Sequence, residues 1–512
     1  MGEVNHEEVE IEIISIETIK PSSLLPPKTP PKTITLSHLD QAAPLYYYPL
    51  LLYYTNTTTT TPTSQIRVDI TSTLKTSLSK TLDKFHPIAG RCVDDSTICC
   101  NHQGIPFIET KVDSNILDVM NSPEKMKLLI KFLPHAEFQD VTRPVSDLNH
   151  LAFQVNVFRC GGVIIGSYVL HKLLDGISLG TFFKNWSTIA NDERVKDDDL
   201  VQPDFEATIK AFPPRTATPM LPRNQQLPKA AEKPNNNPVK VLVTKSFVFD
   251  IVSLKKMMFM AKSELVPKPT KFETVTGFIW EQTLSTLRNS GVEVEHTSLI
   301  IPVNIRPRMS PPLPRGSMGN LLKNAKAQAN TSSSNGLQDL VKEIHSSLSQ
   351  TTQKINTPPP PPPPPPTTTA TTIHSSLSQT TQKINTPPPT TTTIHSSLSQ
   401  TTQKINTTTT TAEVILTKRK VDNPVTQNRE GNYLFTSWCK IGLDEADFGF
   451  GKPVWVIPND GRPPKVRNMI FLTDYRHPET GVEGIAAWIT LEEKQMQCLK
   501  SNPEFLAFAT PN

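Results

Sequence analysis

The segment GVIIGSYVLHKLLDGISLGTFFKNWSTI, residues 162–189, contains the local patterns that decide the fold. An apolar run up to Leu170 predicts a strand, and the polar turn HKLLDG follows it directly. Beyond the turn, apolar residues recur with a helical period at Ile177, Leu179, Phe182, Phe183, Trp186 and Ile189. This order of strand, turn and amphipathic helix predicts an α/β fold.

The residues before this segment also contain helix and strand patterns. A helix is predicted over Ile70–Phe85, because one face carries Leu74, Leu78, Leu82 and Phe85. The sequence HPIAGR ends that helix, and the stretches IPFIET and LAFQVNVFRC predict strands. We expect residues 1–200 to form an N-terminal domain.

The residues after the segment predict a linker and a second domain. Residues 201–240 are rich in Pro, Asn, Gln and Lys, which is typical of a crossover linker. A strand is predicted at VLVTKSFVFD, and Thr270 with Glu273 forms a capping box before a helix over Phe272–Leu287. We expect residues 241–512 to form a C-terminal domain.

A low-complexity stretch interrupts this second domain. The sequence IHSSLSQTTQKINT occurs at 344–357, 373–386 and 394–407, with proline and threonine runs between the copies. The first copy continues a helical pattern that starts at Leu337, and the other two have no such lead-in. We interpret 358–411 as a disordered insertion. A proline-rich docking segment for an aromatic groove remains an alternative.

Composition excludes several classes of protein. Fifty-two Lys and Arg against 48 Asp and Glu give a net charge of only +4, which argues against nucleic-acid binding. The six cysteines are scattered without a CxxC pair, so we expect reduced thiols and no metal site. The longest apolar runs have about half of the twenty residues that a membrane span needs. With no secretory signal in the acidic N-terminus, we expect a cytoplasmic protein that does not bind membranes.

His171 and Asp175 are the first candidates for chemistry. A histidine at the end of a strand can be held rigidly beside a cleft and act as a base. The alternative is a structural histidine followed by Asp175 as the N-cap of the next helix. The overlapping G-x-S-x-G string around Ser178 lacks the strand-to-helix turn of a nucleophile elbow.

A second glycine-rich feature lies near the C-terminus. In DFGFG, Asp447 is followed by Gly449 and Gly451 on either side of Phe450, which predicts a tight turn. Its spacing does not fit a dinucleotide-binding loop.

HKLLDG and DFGFG, in this order, resemble the HXXXD and DFGWG motifs of the plant BAHD acyltransferases. Further matches are IKPSS, LSHLDQ, SLSKTLDKFHPIAGR, VNIRPRMSPPLP, MGN, FTSWCKIGLDEADFGFGKP and GVEGIAAWITLEEKQMQCL. SHLDQ and FTSWC are similar to the alkaloid- and alcohol-acetylating branch of that family. Phe450 departs from the usual Trp but keeps an aromatic ring.

The resemblance implies two chloramphenicol-acetyltransferase-like domains with a channel between them. Acyl-CoA, most simply acetyl-CoA, would be the co-substrate, and a small-molecule alcohol such as an alkaloid or terpenoid would be the acceptor. His171 would act as general base in a ternary complex of a monomeric enzyme. Benzoyl-, hydroxycinnamoyl- or malonyl-CoA as donor, and a non-catalytic binding protein, remain alternatives.

The resemblance also implies roles for the other motif residues. Asp175 would turn away from His171 and pair with Arg306, while Gly176, Asp447, Gly449 and Gly451 would be structural. Ser437 and Trp438 would line the pantetheine tunnel.

Deletion of residues 358–411 is expected to leave catalytic activity intact, because the insertion follows a helix that is complete without it. The measurement is acyl transfer by the full chain and by the deletion variant. Complete loss of activity in a folded deletion variant would contradict this interpretation.

Overall fold

Two mixed α/β halves build the protein in the computed structural model, which describes residues 9–23, 30–55, 63–122, 124–192, 194–215, 241–289, 294–331, 336–356, 431–464 and 466–512. In these ranges the strands are β1 (Ile11–Ile19), β2 (Thr33–Thr35), β3 (Tyr47–Tyr54), β4 (Arg91–Cys92), β5 (Thr97–Cys99), β6 (Ile105–Val112), β7 (Leu151–Phe158), β8 (Val163–Leu170), β9 (Leu242–Asp250), β10 (His296–Asn304), β11 (Leu322–Asn330), β12 (Asn432–Ser437), β13 (Trp455–Ile457), β14 (Met469–Arg476), β15 (Glu483–Glu492) and β16 (Thr510–Pro511).

The α-helices in the same ranges are α1 (His38–Ala42), α2 (Thr63–Lys84), α3 (Ile116–Asn121), α4 (Lys125–Leu128), α5 (Gly176–Asn191), α6 (Phe205–Ala211), α7 (Ile251–Met260), α8 (Lys271–Asn289), α9 (Leu337–Asn356), α10 (Glu493–Ser501) and α11 (Pro503–Leu506). Short 3-10 helices occupy Leu129–Phe132, Ala136–Gln139, Val145–Asp147, Asp197–Asp199 and Arg306–Arg308.

The first sheet has the strand order β1-β6-β7-β8-β3-β13 and is antiparallel except for the parallel pair β6–β7. Its central strands β7 and β8 are buried along their whole length, because helices and loops cover both faces. Helices α2 and α5 pack on one face, where Leu74, Leu78 and Leu82 of α2 share a core with Phe182 and Trp186 of α5. The predicted strand, turn and helix of residues 162–189 are confirmed.

The second sheet has seven strands in the order β11-β10-β12-β14-β15-β9-β16. Helices α8 and α9 supply the apolar side chains of its core, including Ile279 and Val341. The predicted capping box is present, because Thr270 Oγ1 accepts the Glu273 N–H at 3.1 Å and the Glu273 carboxylate accepts the Thr270 N–H at 2.8 Å. The predicted architecture of two sheet-rich α/β domains is confirmed.

One segment of the second half packs with the first domain, which differs from the boundary predicted for 241–512. Strand β13 pairs with β3 through Trp455 and Tyr53 and so forms an edge of the first sheet. Before it, Ile441 and Phe448 lie in the core beneath α5. Local patterns do not reveal this exchange, because a three-residue strand has the same periodicity whichever sheet it joins.

The predicted linker is partly structured. Helix α6 lies within 201–240, and its Thr208 hydroxyl donates to the Met318 carbonyl oxygen. Asp204 forms an isolated bridge with Ser317, so this part of the linker is fixed to the loop that carries Arg306. Residues 216–240 lie outside the described residues.

The first copy of the repeat lies on α9, as its helical pattern predicts. Leu337, Val341 and Ile344 are buried against the second sheet. The second and third copies and the predicted insertion at 358–411 lie outside the described residues. In the part of the chain that is described, no helix combines the length and apolar character needed to cross a membrane.

Gly180 is expected to be irreplaceable although it lies inside a helix. A Cβ atom at this position would lie 1.9 Å from the Ile441 carbonyl oxygen, which belongs to the loop from the second half. Gly180→Ala should therefore lower the free energy of unfolding by about 1–3 kcal/mol, despite the higher helix propensity of Ala. The measurement is urea denaturation followed by circular dichroism.

Gly176→Ala is the matched control on the same helix. Its added Cβ would meet Ile441 Cδ1 at 3.5 Å, an ordinary van der Waals contact. Equal stability of the two variants would show that the close approach at Gly180 does not constrain the fold.

Candidate active site

His171 lies directly after β8, at the end of a central strand. Its backbone N–H donates to the Tyr46 carbonyl oxygen at 3.0 Å, which continues the pairing of β8 with β3 by one residue. The imidazole lies between the rings of Tyr46 and Tyr48, with centroid distances of 5.2 and 5.3 Å. Strand pairing and two aromatic contacts therefore fix the position of the side chain.

The electrostatic surroundings keep this imidazole neutral. Burial lowers the pKa of His171 below its ordinary value, because the charged form loses hydration, and the negative charge of Asp175 opposes this effect only in part. His171 Nδ1 is buried, and no described residue provides it with a hydrogen-bond partner. The ring as a whole is only half-buried. A neutral, partly accessible imidazole can accept a proton from a bound molecule.

Asp175 begins α5 and forms a buried ion pair. Its Oδ1 accepts the Ser178 N–H at 2.8 Å and so caps the helix. Arg306 donates to both carboxylate oxygens, from Nη1 at 2.7 Å and from Nη2 at 3.1 Å. The exposed fractions are 0% for Asp175 and 1% for Arg306. Among the described residues, the hydrogen bonds of this carboxylate do not include one from His171.

Arg306 connects the start of α5 to a loop of the second half. Its Nε donates to the Ser317 carbonyl oxygen at 2.8 Å, and its Nη2 donates to the Gly319 carbonyl oxygen at 3.1 Å. The Ser178 hydroxyl donates to that same Gly319 oxygen at 3.1 Å. Ser178 is therefore buried in a structural network within α5 and does not have the geometry of a nucleophile elbow.

Asn320 contacts the backbone of the HKLLDG turn. Its side-chain amide donates to the carbonyl oxygens of His171 at 2.9 Å and Lys172 at 3.2 Å. Both its backbone and its side-chain N–H groups donate to Asp40, which also accepts from the Ser37 hydroxyl. Burial raises the pKa of the Asp40 carboxyl to about 6.

Sequence reasoning gave Asn320 and Asp40 no role. Both lie in stretches, MGN and SHLDQ, that the family resemblance covers, and that is the signal that could have marked them. Tyr46 and Tyr48 were missed as well, and their signal is the alternation along β3, which places both side chains on the face that carries His171.

Trp438 packs against Tyr48, the neighbour of the imidazole, and Ser437 is the residue before Trp438 in the chain. The Trp438 ring is 5.5 Å from Tyr48, which in turn contacts His171. The Trp438 backbone N–H donates to the Leu472 carbonyl oxygen at 2.7 Å, so the residue extends the pairing of β12 with β14. The structure thus brings Trp438, which was predicted to line a tunnel, into the ring cluster around His171.

The DFGFG loop lies at the other end of α5. Asp447 Oδ1 accepts the N–H groups of Gly449 at 2.9 Å and Gly451 at 3.0 Å, and both glycines have φ values near +95°. A Cβ atom on Gly449 would lie 3.6 Å from Asn191, the last residue of α5. Because a helix rises about 1.5 Å per residue, roughly 20 Å separates this loop from the start of α5. Asp447 therefore does not touch His171.

Packing fixes the same loop to the first domain. The Tyr54 hydroxyl donates to the Ala446 carbonyl oxygen at 2.9 Å, and Phe448 contacts Trp186 with a centroid distance of 4.8 Å. Phe450, which replaces the family's Trp, contacts Tyr54 at 4.9 Å. An aromatic side chain at position 450 therefore still packs against the first domain.

Among the described residues, no group of three or more His, Cys, Asp or Glu side chains is placed to hold a metal ion. A cleft of about 380 Å³ opens beside α5, and its lining includes Thr181 and the cations Lys184, Arg315 and Lys440. Asp444 also lines it, so the cleft carries both signs of charge.

Comparison with known proteins gives consistent matches over nearly the whole chain. A family model described as "Transferase family" matches residues 9–357 and 368–506. Limonoid 21-O-acetyltransferase of Melia azedarach is 28% identical over 98% of this chain and 99% of its own length. Salutaridinol 7-O-acetyltransferase of Papaver somniferum is 29% identical over 95% of each chain. The crystal structure of vinorine synthase aligns with a TM-score of 0.69 and 25% identity, over 98% of this chain and 99% of that one.

Removal of the Asp175 carboxylate is expected to destabilise the protein together with its activity. Asp175→Ala leaves the Arg306 charge buried without a partner, which typically lowers the free energy of unfolding by about 3–5 kcal/mol. Loss of the helix cap adds roughly 1 kcal/mol. The measurements are chemical denaturation and turnover on the same samples.

Asp250→Ala is the matched control, because Asp250 caps α7 through the Ser253 N–H but is exposed. It should lower the free energy of unfolding by only about 1 kcal/mol. An Asp175→Ala protein as stable as the wild type, yet inactive, would place Asp175 in the chemistry.

Proposed function

Because the chain belongs to the Transferase (BAHD) family of acyl-CoA-dependent O-acyltransferases, we propose that it transfers an acetyl group from acetyl-CoA to a hydroxyl of a plant specialised metabolite. The observation that carries this proposal is the neutral, half-buried imidazole of His171, held between Tyr46 and Tyr48, with Trp438 packed against Tyr48. Two relatives, acetyltransferases of a limonoid and of salutaridinol, support acetyl as the group and an alcohol as the acceptor.

The proposed chemistry needs one base and no covalent enzyme intermediate. An alcohol is a weak acid and attacks a thioester slowly. Neutral His171 accepts the hydroxyl proton while the new C–O bond forms, which typically contributes ~10²–10⁴-fold to the rate. The tetrahedral intermediate collapses with cleavage of the C–S bond, and protonated His171 returns the proton to the CoA thiolate. Proton, acyl group and leaving group therefore balance within one ternary complex.

The other motif residues support this base without taking part in proton transfer. Asp175 forms its ion pair with Arg306 and not with His171. Asn320 holds the backbone of His171 in place. Ser437 and Trp438 would line the tunnel for the pantetheine arm, while Gly176, Asp447, Gly449 and Gly451 would shape the turns that position α5.

We also propose that the enzyme works as a monomer in the cytoplasm. Every residue assigned to the chemistry comes from one chain, so the proposed mechanism requires no second copy. The six cysteines, all of which lie in the described part of the chain, form no disulfide bonds with one another, which fits a reducing compartment.

His171→Ala is expected to abolish turnover without unfolding the protein, because the imidazole is half-buried and makes no ion pair. The assay measures thiol release from acetyl-CoA with a pooled panel of plant alcohols and alkaloids. Benzoyl-, hydroxycinnamoyl- and malonyl-CoA are tested in parallel to identify a different donor.

His86→Ala is the matched control, since His86 is also a half-buried histidine whose pKa is lowered by burial. It should retain turnover. Undiminished acyl transfer by folded His171→Ala would refute the assignment, and an acylated protein trapped during turnover would refute the ternary-complex mechanism. Thermal stabilisation by CoA without any turnover would indicate a different acyl donor or acceptor, whereas neither turnover nor stabilisation would favour a non-catalytic protein.

The pH dependence of kcat/KM should reflect the lowered pKa of His171. Protonation removes the base, so activity is lost as the pH falls through that pKa, which lies below the ordinary value of about 6.5. We expect an acid limb of unit slope whose midpoint lies below about pH 6.5. A midpoint of the acid limb above pH 7 would contradict a buried, neutral imidazole as the base.

A further inference from the structure

Three buried polar groups between the two sheets have no partner within the described residues. They are the indole N–H groups of Trp455 and Trp488 and the hydroxyl of Thr473. The exposed fractions of these residues are only 6%, 2% and 1%. Buried donors in native proteins are nearly always hydrogen-bonded, so three orphans in one region require an explanation.

The three groups are neighbours on facing walls. Trp455 belongs to β13, at the edge of the first sheet, and its ring lies 6.5 Å from that of Trp488 on β15 of the second sheet. Across the pair β14–β15, Trp488 lies opposite Phe471. Thr473 is two residues beyond Phe471, and strand alternation places it on the same face of the sheet.

A continuous series of aromatic rings connects this region to the candidate base. Phe471 lies 5.5 Å from Trp438, and Trp438 lies 5.5 Å from Tyr48. The Tyr48 ring contacts His171 at 5.3 Å. A molecule with its hydroxyl at His171 could therefore extend along this wall to the orphan groups.

Two other buried indoles behave differently. In the first core, the Trp186 N–H donates to the Leu74 carbonyl oxygen and the Ser77 hydroxyl. In the second core, the Trp280 N–H donates to the Thr297 hydroxyl at 3.1 Å. Both of these indoles are satisfied within a core, whereas Trp455 and Trp488 lie where the two sheets face each other.

The chemistry of the three unpartnered groups determines which kind of ligand atom could bind them. An indole N–H can only donate a hydrogen bond, and a hydroxyl can donate one, so the matching group is an acceptor. The donors are uncharged, which suits a neutral oxygen better than a carboxylate, whose burial requires a cation. The surrounding walls are aromatic and suit an apolar, ring-rich body.

We propose that Trp455, Trp488 and Thr473 form the distal part of the acceptor site and bind a carbonyl or ether oxygen of a polycyclic alcohol. This inference rests on the proposed function and deepens it, because it names the acceptor class. The hydroxyl to be acylated lies at His171, and the recognised oxygen lies at the other end of the ring system.

Matched steroid alcohols test this acceptor class. The probes are 5α-androstan-3-ol and its derivatives with a ketone at C11 or C17, and the measurement is kcat/KM for acyl transfer from acetyl-CoA. The wild type should prefer one ketone over the parent alcohol by about tenfold or more, because the parent leaves the donors unpaired. Thr473→Val and Trp488→Phe should reduce that preference towards unity.

Trp280→Phe is the matched control, since it removes an indole N–H that is already paired within the second core. It should leave the preference for the ketone unchanged. Equal kcat/KM for all the steroids, or an unchanged preference in Thr473→Val and Trp488→Phe, would overturn the proposal.

A stability measurement tests the orphan state without any substrate. Thr473→Val should keep or raise the melting temperature of the free protein, because an isosteric apolar group replaces an unpaired hydroxyl. Thr297→Val should lower it, because that hydroxyl accepts the Trp280 N–H. A clear drop in Thr473→Val would show that the hydroxyl is satisfied within the protein and would refute the subsite.

Failure of the proposed function can be distinguished from failure of the subsite. If no alcohol is acylated by any CoA ester, the proposed function fails. The subsite is then decided by thermal stabilisation with the androstanes. Greater stabilisation by a ketone than by the parent alcohol, lost in Thr473→Val, supports it, and equal stabilisation overturns it.

Discussion

The buried ion pair between Asp175 and Arg306 is the constraint on which the rest of the site depends. It joins Asp175, the N-cap residue of α5, to Arg306 in the loop that follows β10 of the second sheet. A buried pair of this kind contributes little net stability when complete, but it penalises any arrangement that leaves one charge alone. Only one arrangement of the two halves of the chain keeps both charges paired. His171 lies four residues before Asp175, so this arrangement also fixes its position.

Burial, more than this ion pair, determines the chemical state of the imidazole. A carboxylate near His171 raises its pKa and stabilises the protonated form. Burial lowers the pKa of His171, and the charge of Asp175 opposes this shift only in part. The HXXXD spacing suggests a catalytic dyad, yet the geometry separates the two roles. The histidine is left as a neutral base, and the aspartate fixes the fold around it.

Helix α5 lies between the two family motifs. HKLLDG leads into its first turn, and the DFGFG loop packs beside its last residue. Loop residues from the second half lie along it, as the close approach of Ile441 to Gly180 shows. Gly449 and Gly451, on either side of Phe450, adopt positive φ values that shape this loop. DFGFG thus affects the site indirectly, by fixing the position of α5. The loop itself lies roughly 20 Å from the start of that helix.

The sequence alone was sufficient to establish the α/β class, the strand–turn–helix around His171, the capping box at Thr270 and the family motifs, because each depends on residues close together in the chain. Only the tertiary structure placed Asp40 and Asn320 against the HKLLDG turn, moved β13 into the first sheet and collected Trp455, Trp488 and Thr473 on facing walls. The physical reason is that these contacts join residues far apart in sequence, and periodicity and spacing carry no information about which distant segments pack together. The pairing of Asp175 with Arg306 lies between these cases. Family resemblance indicated it over a sequence separation of 131 residues, and the geometry shows the two hydrogen bonds that make it.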